Sequence, residues 1–201
     1  MTALIRRDGC NLERVQGLPW DKRAMDLALL LPVLPFASAV VGVLAALVRL
    51  LDGAPVFFVQ ERVGLGGRRF KVYKLRTMSC EPEVAARKPT RLGQWLRLRG
   101  LDELPQLFNV LKGEMSLVGP RPLEPAHFER LCAQRPEFRE RLEVAPGITG
   151  LAQVTQAIGL DNSCAMDREY AATRTLPFDL YLIARTAWMN LVGKKRGAWQ
   201  R

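Results

Sequence analysis

Two adjacent carboxylates, Asp102 and Glu103, are the side chains of this sequence best suited to carry catalysis. A carboxylate can be a covalent nucleophile toward phosphorus, and it can also hold a divalent cation. Other chemistries compete weakly, because His127 is the only histidine and the four cysteines form no CxxC pair. A zinc site of the usual spacing and a Ser-His or Cys-His nucleophile are therefore not indicated. Any acid, base or nucleophile is expected among carboxylates, lysines or tyrosines.

The same pair also has a purely structural interpretation. Leucines and Phe108 between positions 101 and 111 fall on one helical face, Pro105 fits a first turn, and Gly113 fits a helix end, so the sequence predicts one helix here. Acidic residues at a helix N-terminus are stabilised by the helix dipole, which explains the pair as well as catalysis does. The second face of this predicted helix carries Asp102, Gln106 and Asn109, with Glu103 beside them.

The charge balance points to an anionic partner. The formal net charge is +10, which favours nucleic acid, acidic lipid headgroups or a phosphorylated substrate. Arg121 stands between Pro120 and Pro122, and such a rigid turn reduces the entropy lost when a guanidinium grips a phosphate or a planar base. An ordinary turn with an exposed arginine is the alternative. The glycine-rich, basic stretch 62–69 is either a phosphate-binding loop or a hairpin turn.

An uncharged, almost entirely apolar segment runs from Leu27 to Val48. It is long enough to cross a bilayer core of about 30 Å as a helix. It does not resemble a cleavable signal peptide, because it starts late and is followed by Arg49 rather than by a small-residue cleavage site. The alternative is a buried core helix, which apolarity on all faces disfavours.

Both flanks of this segment are basic, whereas cytoplasmic flanks alone are normally enriched in Lys and Arg. A helix that enters the bilayer, bends and leaves by the same face keeps both flanks on the cytoplasmic side. Pro32 and Pro35 provide a break, and Ser38 is the nearby hydroxyl that could satisfy the carbonyls they free. The flanking cations are Arg6, Arg7, Arg14, Lys22 and Arg23 before the segment, and Arg49, Arg62, Arg68, Arg69, Lys71, Lys74 and Arg76 after it.

The rest of the chain predicts a small α/β, α-rich fold. Positions 56–59 and 70–75 are expected to be strands, and a strand should follow the Pro146-Gly147 turn. Positions 91–99 and 178–192 are amphipathic and are expected to lie on the membrane surface. We therefore divide the chain into residues 1–52, a basic segment with a re-entrant membrane helix, and residues 53–201, a catalytic domain.

Several motifs in this order resemble the bacterial sugar transferase family, the monotopic phosphoglycosyl transferases. The resemblance covers residues 22–192 as one continuous sugar transferase domain. It rests on Lys22-Arg23 with Asp26, on Pro55 to Gly64, on Phe70 to Met78, on Leu101-Asp102-Glu103-Leu104-Pro105-Gln106-Leu107, on Gly119-Pro120-Arg121-Pro122 and on Pro146-Gly147-Ile148-Thr149-Gly150.

This resemblance implies a magnesium-dependent enzyme at the cytoplasmic face of the bacterial inner membrane. It would transfer a sugar-1-phosphate from a UDP-sugar to polyprenyl phosphate through an aspartyl-phosphosugar on Asp102, releasing UMP. Glu103, with Asp102, would hold Mg²⁺. The resemblance also assigns substrate binding to Arg97, to the nucleotide-binding turn Pro120-Arg121-Pro122, and to Asp167 and Tyr170. Exopolysaccharide and lipopolysaccharide synthesis both begin with such a step.

Two positions depart from the family pattern. Ser38 is followed by Ala39 where the family usually has proline, and Gly100 stands where Ser or Thr is usual. Two other functions remain as alternatives: a membrane-tethered basic binding module, and a hydrolase of the same UDP-sugar that uses water as acceptor. Inner-membrane lipids are expected partners and nucleic acid is not, while homo-oligomerisation stays open.

Overall fold

The computed structural model describes residues 18–157 and 159–192. Within them the chain is a helix-rich α/β structure that begins with one long apolar helix, so this part of the predicted fold class is confirmed. The basic residues Arg6, Arg7 and Arg14 lie outside the described residues. The helices are α1 (Trp20–Leu51), α2 (Arg91–Arg99), α3 (Leu107–Lys112), α4 (Pro125–Gln134), α5 (Leu151–Val154), α6 (Leu160–Thr173) and α7 (Leu176–Val192), and the strands are β1 (Phe57–Val63), β2 (Arg69–Leu75), β3 (Ser116–Val118) and β4 (Gly147–Thr149).

The long helix α1 packs against the rest of the structure along a single stripe. Its buried positions recur every three or four residues where the stripe is continuous, which is the spacing of one helical face. Leu30 joins a core cluster with Phe70 and Val72 of β2, and Val48 joins another with Leu75. Only 22% of its most apolar 18-residue window is buried, so the interpretation as a soluble core helix does not fit. The stripe consists of Lys22, Asp26, Leu30, Ala37, Val41, Leu44 and Val48.

The two prolines do not interrupt α1, since every residue from Trp20 to Leu51 is helical. A proline at position i deprives the carbonyl at i−4 of its partner, so Pro32 and Pro35 free the carbonyls of Ala28 and Leu31. The Ser38 hydroxyl was expected to help them, but it donates to the Leu34 carbonyl at 2.7 Å instead. The hydroxyl of a helical serine reaches the carbonyl four residues earlier in the same helix, which for Ser38 is that of Leu34.

The start of α1 is fixed by polar contacts. Lys22 Nζ donates to Asp179 Oδ2 of α7 at 2.6 Å, and both side chains are almost fully buried. Asp26 Oδ1 accepts from the backbone N–H of Leu117 at 3.1 Å. Arg23 donates to the carbonyls of the last turn of α3, including that of Leu111 at 2.7 Å. These basic flank residues therefore bind protein groups, and they are not available to lipid headgroups as the flank argument assumed.

Strands β1 and β2 form an antiparallel hairpin in which Phe57 pairs with Leu75 and Val63 with Arg69. Both strands lie close to the predicted positions 56–59 and 70–75 and are longer than predicted. The glycine-rich stretch between them is the hairpin turn, where Gly66 and Gly67 both have positive φ. Of the two interpretations offered by the sequence, this location fits the turn.

The helix predicted over positions 101–111 is divided in two. A 3-10 segment, Leu101–Gln106, comes first and α3 follows it. Pro105 has no N–H to donate to Leu101, so the α-helical ladder cannot pass through this turn. Gly100 caps α2 in the left-handed conformation, φ 68°, which favours glycine over the Ser or Thr of the family pattern.

A second, parallel pair joins β3 to β4 and sets the position of the turn that follows β3. Ser116 pairs with Gly147 and Val118 with Thr149. A side chain at Gly119 would place its Cβ 2.1 Å from the carbonyl oxygen of Ala145, so only glycine allows this approach. The strand expected after Pro146-Gly147 is confirmed for three residues, but residues 151–154 form the helix α5 instead.

Candidate active site

Glu103 lies at the centre of the candidate site. Its Oε1 atom accepts from Lys74 Nζ and from Arg121 Nη2, each at 2.7 Å. Lys74 comes from β2 and Arg121 from the turn after β3, so the two sheet elements and the 3-10 segment meet at this one oxygen. The structure thus brings together the predicted residues Glu103 and Arg121, and it adds Lys74 to them.

Electrostatics keeps this ion triad charged. Burial alone would raise the pKa of Glu103, but the charges of Arg121 and Lys74 and their hydrogen bonds outweigh it and hold that pKa well below its usual range. Burial lowers the pKa of Lys74, and the charge of Glu103 offsets part of that effect. Glu103 is therefore a stable carboxylate at neutral pH and an improbable proton donor.

Asp102 is in a different state from its neighbour. Its side chain is buried, 8% exposed, yet no other described residue donates a hydrogen bond or forms an ion pair with its carboxylate. Burial, and then the charge of Glu103, raise its pKa, while Lys74 and Arg97 partly offset this. A buried carboxylate without a direct counter-ion is destabilised and hence more reactive as a nucleophile. The adjacent pair thus holds one neutralised and one unneutralised carboxylate.

Arg97 lies on α2 near this pair. Its Nε atom donates to the Thr77 hydroxyl at 2.8 Å, which fixes the direction of the guanidinium. Its charge is among those that lower the pKa of Asp102, so it acts on the candidate nucleophile electrostatically. The predicted placement of Arg97 beside the site agrees with this geometry.

The surface beside the triad is indented on both sides of the turn at positions 120–122. One shallow depression is lined by Arg62, Lys74, Gln106, Arg121 and Pro122 among others. A second is lined by Pro120, Arg121 and Pro122 together with residues of β1, α4 and the 3-10 segment Pro136–Glu143. The predicted residues Pro120 and Pro122 therefore form walls of the site.

Asp167 and Tyr170 were predicted to bind substrate, but both lie in the interior behind the site. Asp167 pairs with Arg141 at 3.2 Å in a buried contact, and Arg141 Nη2 donates to the backbone carbonyl of Arg121 at 2.6 Å. Burial raises the pKa of Asp167, and Arg141 opposes the rise. These contacts support the backbone of the turn at 120–122.

Tyr170 is almost completely buried. Its hydroxyl donates to Asp179 Oδ1 at 2.8 Å and lies 3.0 Å from the carbonyl oxygen of Val118. Burial, with the charge of Asp179, raises the pKa of this phenol above its usual value. The tyrosine links α6 to α7 and to β3, and it does not face either depression.

Sequence reasoning did not assign Lys74 and Arg141 to the site, and it offered Arg62 only within the glycine-rich stretch 62–69 that could bind phosphate. Lys74 carried a usable signal, because it stands in the alternating stretch that predicted β2 and is a lysine among apolar neighbours. Arg141 carried none, since nothing in the local sequence separates it from a solvent-exposed arginine. Gln106 shares the predicted polar face with Asp102 and was placed there by periodicity.

The side chains around Asp102 and Glu103 do not form a preassembled metal site among the described residues. No group of three or more His, Cys, Asp or Glu side chains arranged to hold a metal occurs among residues 18–157 and 159–192. The adjacent carboxylates of Asp102 and Glu103 nevertheless suit Mg²⁺, which is commonly held by one or two carboxylates together with substrate phosphates. Lys74 and Arg121 occupy only Oε1 of Glu103.

Comparison with known proteins identifies the relatives of this chain. The sequence profile described as bacterial sugar transferase matches residues 18–193. A Caulobacter vibrioides protein named UDP-glucose:undecaprenyl-phosphate glucose-1-phosphate transferase is 39% identical over 91% of this chain and 74% of its own length. An Aeromonas hydrophila UDP-N-acetylgalactosamine-undecaprenyl-phosphate N-acetylgalactosaminephosphotransferase is 38% identical over 86% of this chain, and a Komagataeibacter xylinus undecaprenyl-phosphate glucose phosphotransferase is 38% identical over 87%. The chain spans 44% and 37% of the length of these two relatives.

Proposed function

This chain belongs to the bacterial sugar transferase family, and on that premise we propose that it transfers a sugar-1-phosphate from a UDP-sugar to undecaprenyl phosphate and releases UMP. The relatives named for glucose and for N-acetylgalactosamine are 39% and 38% identical to it, so the proposal specifies the class of donor, a UDP-sugar. The observation that supports this activity most directly is the pair of unlike carboxylates, a buried Asp102 without a counter-ion beside a Glu103 held by two cations.

In the first half of the reaction Asp102 acts as the nucleophile. One of its carboxylate oxygens attacks the phosphorus that bears the sugar, and the bond from that phosphorus to the oxygen bridging the two phosphates breaks. The electron pair leaves with UMP, and an aspartyl-phosphosugar remains. Lys74, Arg97 and Arg121 lower the repulsion between an anionic nucleophile and an anionic substrate.

In the second half the phosphate of undecaprenyl phosphate is the nucleophile. One of its oxygens attacks the phosphorus of the aspartyl-phosphosugar, and the bond between that phosphorus and Asp102 breaks, which restores the carboxylate. Two displacements replace one difficult transfer between two anions. The lipid product keeps the sugar-1-phosphate and gains a diphosphate linkage.

We propose Mg²⁺ as the cofactor, with Asp102 and Oε2 of Glu103 as its protein ligands. When bound with the UDP-sugar, the cation would neutralise phosphoryl charge as a Lewis acid. Glu103 is suited to this role because Lys74 and Arg121 fix the carboxylate in place while occupying its other oxygen. Asp102 keeps an oxygen for the attack on phosphorus.

A same-side placement of both ends of α1 in the membrane is supported by their contacts. Lys22 contacts α7 and Val48 packs on Leu75 of β2, although about 39 Å of helix at 1.5 Å per residue separates the two positions. A straight crossing of a hydrocarbon core of about 30 Å would place these contacts on opposite sides. We propose that α1 enters the inner membrane and returns to the cytoplasmic face, with Pro32, Pro35 and Ser38 at the change of direction.

The exposed apolar side chains of α2 and α7 support a membrane-surface position for these helices. Trp95 is 47% exposed, Trp188 is 61% exposed and Leu191 is 72% exposed. Such side chains are stabilised at the boundary between headgroups and hydrocarbon. This position brings the site to the lipid acceptor. We propose that the reaction is the first membrane step of exopolysaccharide or lipopolysaccharide synthesis.

The activity is tested by measuring UMP release from a panel of UDP-sugars in the presence of Mg²⁺ and undecaprenyl phosphate. At least one UDP-sugar should give UMP together with a lipid-linked sugar, and Asp102→Asn should abolish both products. UMP release without a lipid product would favour the hydrolase. No release with any donor would favour a binding module, and full activity of Asp102→Asn would reject Asp102 as the nucleophile.

A further inference from the structure

Two buried N–H donors, on residues that line the depression beside Pro122, have no hydrogen-bond acceptor among the described residues. They are Nε of Arg62 and Nε2 of Gln106, and both side chains line this depression together with Lys74 and Arg121. Gln106 is only 3% exposed. A buried polar group without a partner costs roughly 1–3 kcal/mol, so native proteins rarely keep one without a reason.

The direction of the Arg62 donor is set by its other contacts. Nη1 donates to the Pro122 carbonyl at 3.1 Å, and Nη2 donates to Oε1 of Gln60. A guanidinium is planar and rigid, so fixing two of its nitrogens also fixes the third. Nε is therefore the guanidinium nitrogen that has no acceptor among the described residues, and its orientation is fixed before any ligand binds.

The lining offers donors and positive charge. Lys74, Arg62 and Arg121 are cationic, and the amide nitrogen of Gln106 is a neutral donor. A wall of this composition suits an anion with several acceptor oxygens. A sugar ring carries hydroxyl groups that also donate, so it would be matched less well.

We propose that Arg62 Nε and Gln106 Nε2 bind a non-bridging oxygen of the phosphate that leaves with the nucleoside. This inference rests on the proposed function. Asp102 must be within about 3–3.5 Å of the phosphorus it attacks. Asp102 does not line the depression, whereas Lys74 and Arg121 do. The phosphate in the depression is therefore the neighbour of the attacked one.

The two donors also stabilise the departure of UMP. As the bond to the attacked phosphorus breaks, one more negative charge develops on the departing phosphate. Donors held in place beside the departing phosphate would bind this product state more strongly than the bridged diphosphate. Arg62 and Gln106 are thus substrate-binding residues that act on the leaving group, separate from the nucleophile.

The first test is the affinity of the purified protein for UMP, measured by calorimetry on wild type and Gln106→Met. Loss of one hydrogen bond to a charged phosphate should weaken UMP binding roughly tenfold to hundredfold. The melting temperature should stay the same or rise, because the substitution removes a buried donor that has no partner in the free protein. Gln134→Met, at the exposed end of α4, is the matched control and should bind UMP as wild type does.

The second test is Arg62→Lys, which keeps the positive charge and loses the Nε donor. UMP binding should weaken roughly tenfold, while Arg69→Lys, an exposed residue at the start of β2, should leave it unchanged. Wild-type affinity for UMP in both Gln106→Met and Arg62→Lys would overturn the inference and leave the proposed function standing. A selective rise in KM for undecaprenyl phosphate in Gln106→Met would also overturn it, since the depression would then hold the acceptor. Failure of wild type both to bind UMP and to release it from any UDP-sugar would instead remove the proposed function.

Discussion

Arg141 donates through Nη2 to the backbone carbonyl of Arg121 at 2.6 Å, and this bond joins the interior of the protein to the candidate active site. Arg141 is in turn paired with Asp167. The guanidinium of Arg121 extends the other way, to Glu103. A chain of contacts thus runs from α6 to the catalytic pair, and Asp167 acts through it as a positioning residue.

Replacing Asp167 by Asn should therefore weaken nucleotide binding indirectly. The substitution removes the charge that balances Arg141, so the carbonyl of Arg121 loses its fixed support and UMP affinity should fall about tenfold. In an Arg121→Gln background the same substitution should have no further effect on UMP affinity, although its loss of thermal stability should persist. Equal effects on binding in both backgrounds would contradict the route through Arg121. Asp161→Asn, in an exposed pair with Arg135, is the control.

Glu103→Gln should destabilise the protein by roughly 3 kcal/mol, because it leaves Lys74 and Arg121 without their shared counter-ion in a mostly buried site. The pKa of Glu103 is lowered on folding, so its stabilising contribution is present above the unfolded value of about 4.3 and is lost as pH falls toward the folded value. Thermal unfolding at pH 7 and below pH 4 should show the difference between wild type and variant shrinking in acid. Glu61→Gln, in an exposed pair with Arg69, should change stability little.

Arg97→Gln should move the acid limb of the pH–rate profile to higher pH. Asp102 must be ionised to attack phosphorus, so the rate falls as pH drops through its raised pKa. Arg97 lowers that pKa, and its removal should raise it further. The measurement is the initial rate of UMP release at saturating donor as a function of pH. Arg97→Lys should keep the limb near the wild-type position, and a rate loss without any shift would count against the electrostatic role.

Lys22→Met should lower stability by roughly 3–5 kcal/mol, since it leaves Asp179 as a buried carboxylate without a cation. Adding Asp179→Asn removes the stranded charge and keeps an acceptor for the Tyr170 hydroxyl, so the double variant should recover at least part of the loss. Thermal unfolding in detergent micelles provides the comparison. A double variant no more stable than Lys22→Met would show that the pair contributes more than charge balance. Arg135→Met is the exposed control.

Single cysteines at Asp21 and Ala54 should react with a membrane-impermeant thiol reagent from the same side of the membrane. Both positions are exposed; Asp21 lies in the first turn of α1 and Ala54 lies just after its end. The variants are made in a background with Cys10 and Cys80 replaced by serine, and inverted and right-side-out vesicles are compared. Labelling of the two positions from opposite sides would exclude re-entry of α1.

The local residue pattern predicted the secondary-structure elements better than it predicted the contacts between them. A short apolar run located β1, alternation located β2, and the amphipathic spacing located α2 and α7, because those signals belong to neighbouring residues. Positions 101–111 were predicted to form one helix because the spacing of apolar side chains is similar in 3-10 and α-helical segments. That spacing does not show that Pro105 lacks a backbone N–H donor. The Ser38 contact was misplaced for a similar reason, since it depends on reach within one turn.

The part of the site that was predicted came from the family resemblance, which assigned roles to Asp102, Glu103, Arg97 and Arg121. These four residues lie together in the structure. Lys74 and Arg62 reach the site through the pairing of β1 with β2, and Arg141 through packing of the segment Pro136–Glu143 on α6. Contacts between residues this far apart in the chain depend on tertiary packing, and no local spacing reports them. Asp167 and Tyr170 were predicted to bind substrate, whereas their contacts lie in the interior behind the site, because the direction in which a side chain points could not be read from sequence.

Because Glu103 contacts Lys74 and Arg121, an anion from solution must compete with this internal carboxylate for the two cations. A free phosphate ion from solution must share or displace this tethered group, whose local concentration is of the order of millimolar or higher. A nucleotide diphosphate brings further contacts along the turn at positions 120–122, so it meets the same competition with more binding groups. In the free enzyme Glu103 thus shields Lys74 and Arg121 from small anions, and inorganic phosphate should be a weak inhibitor.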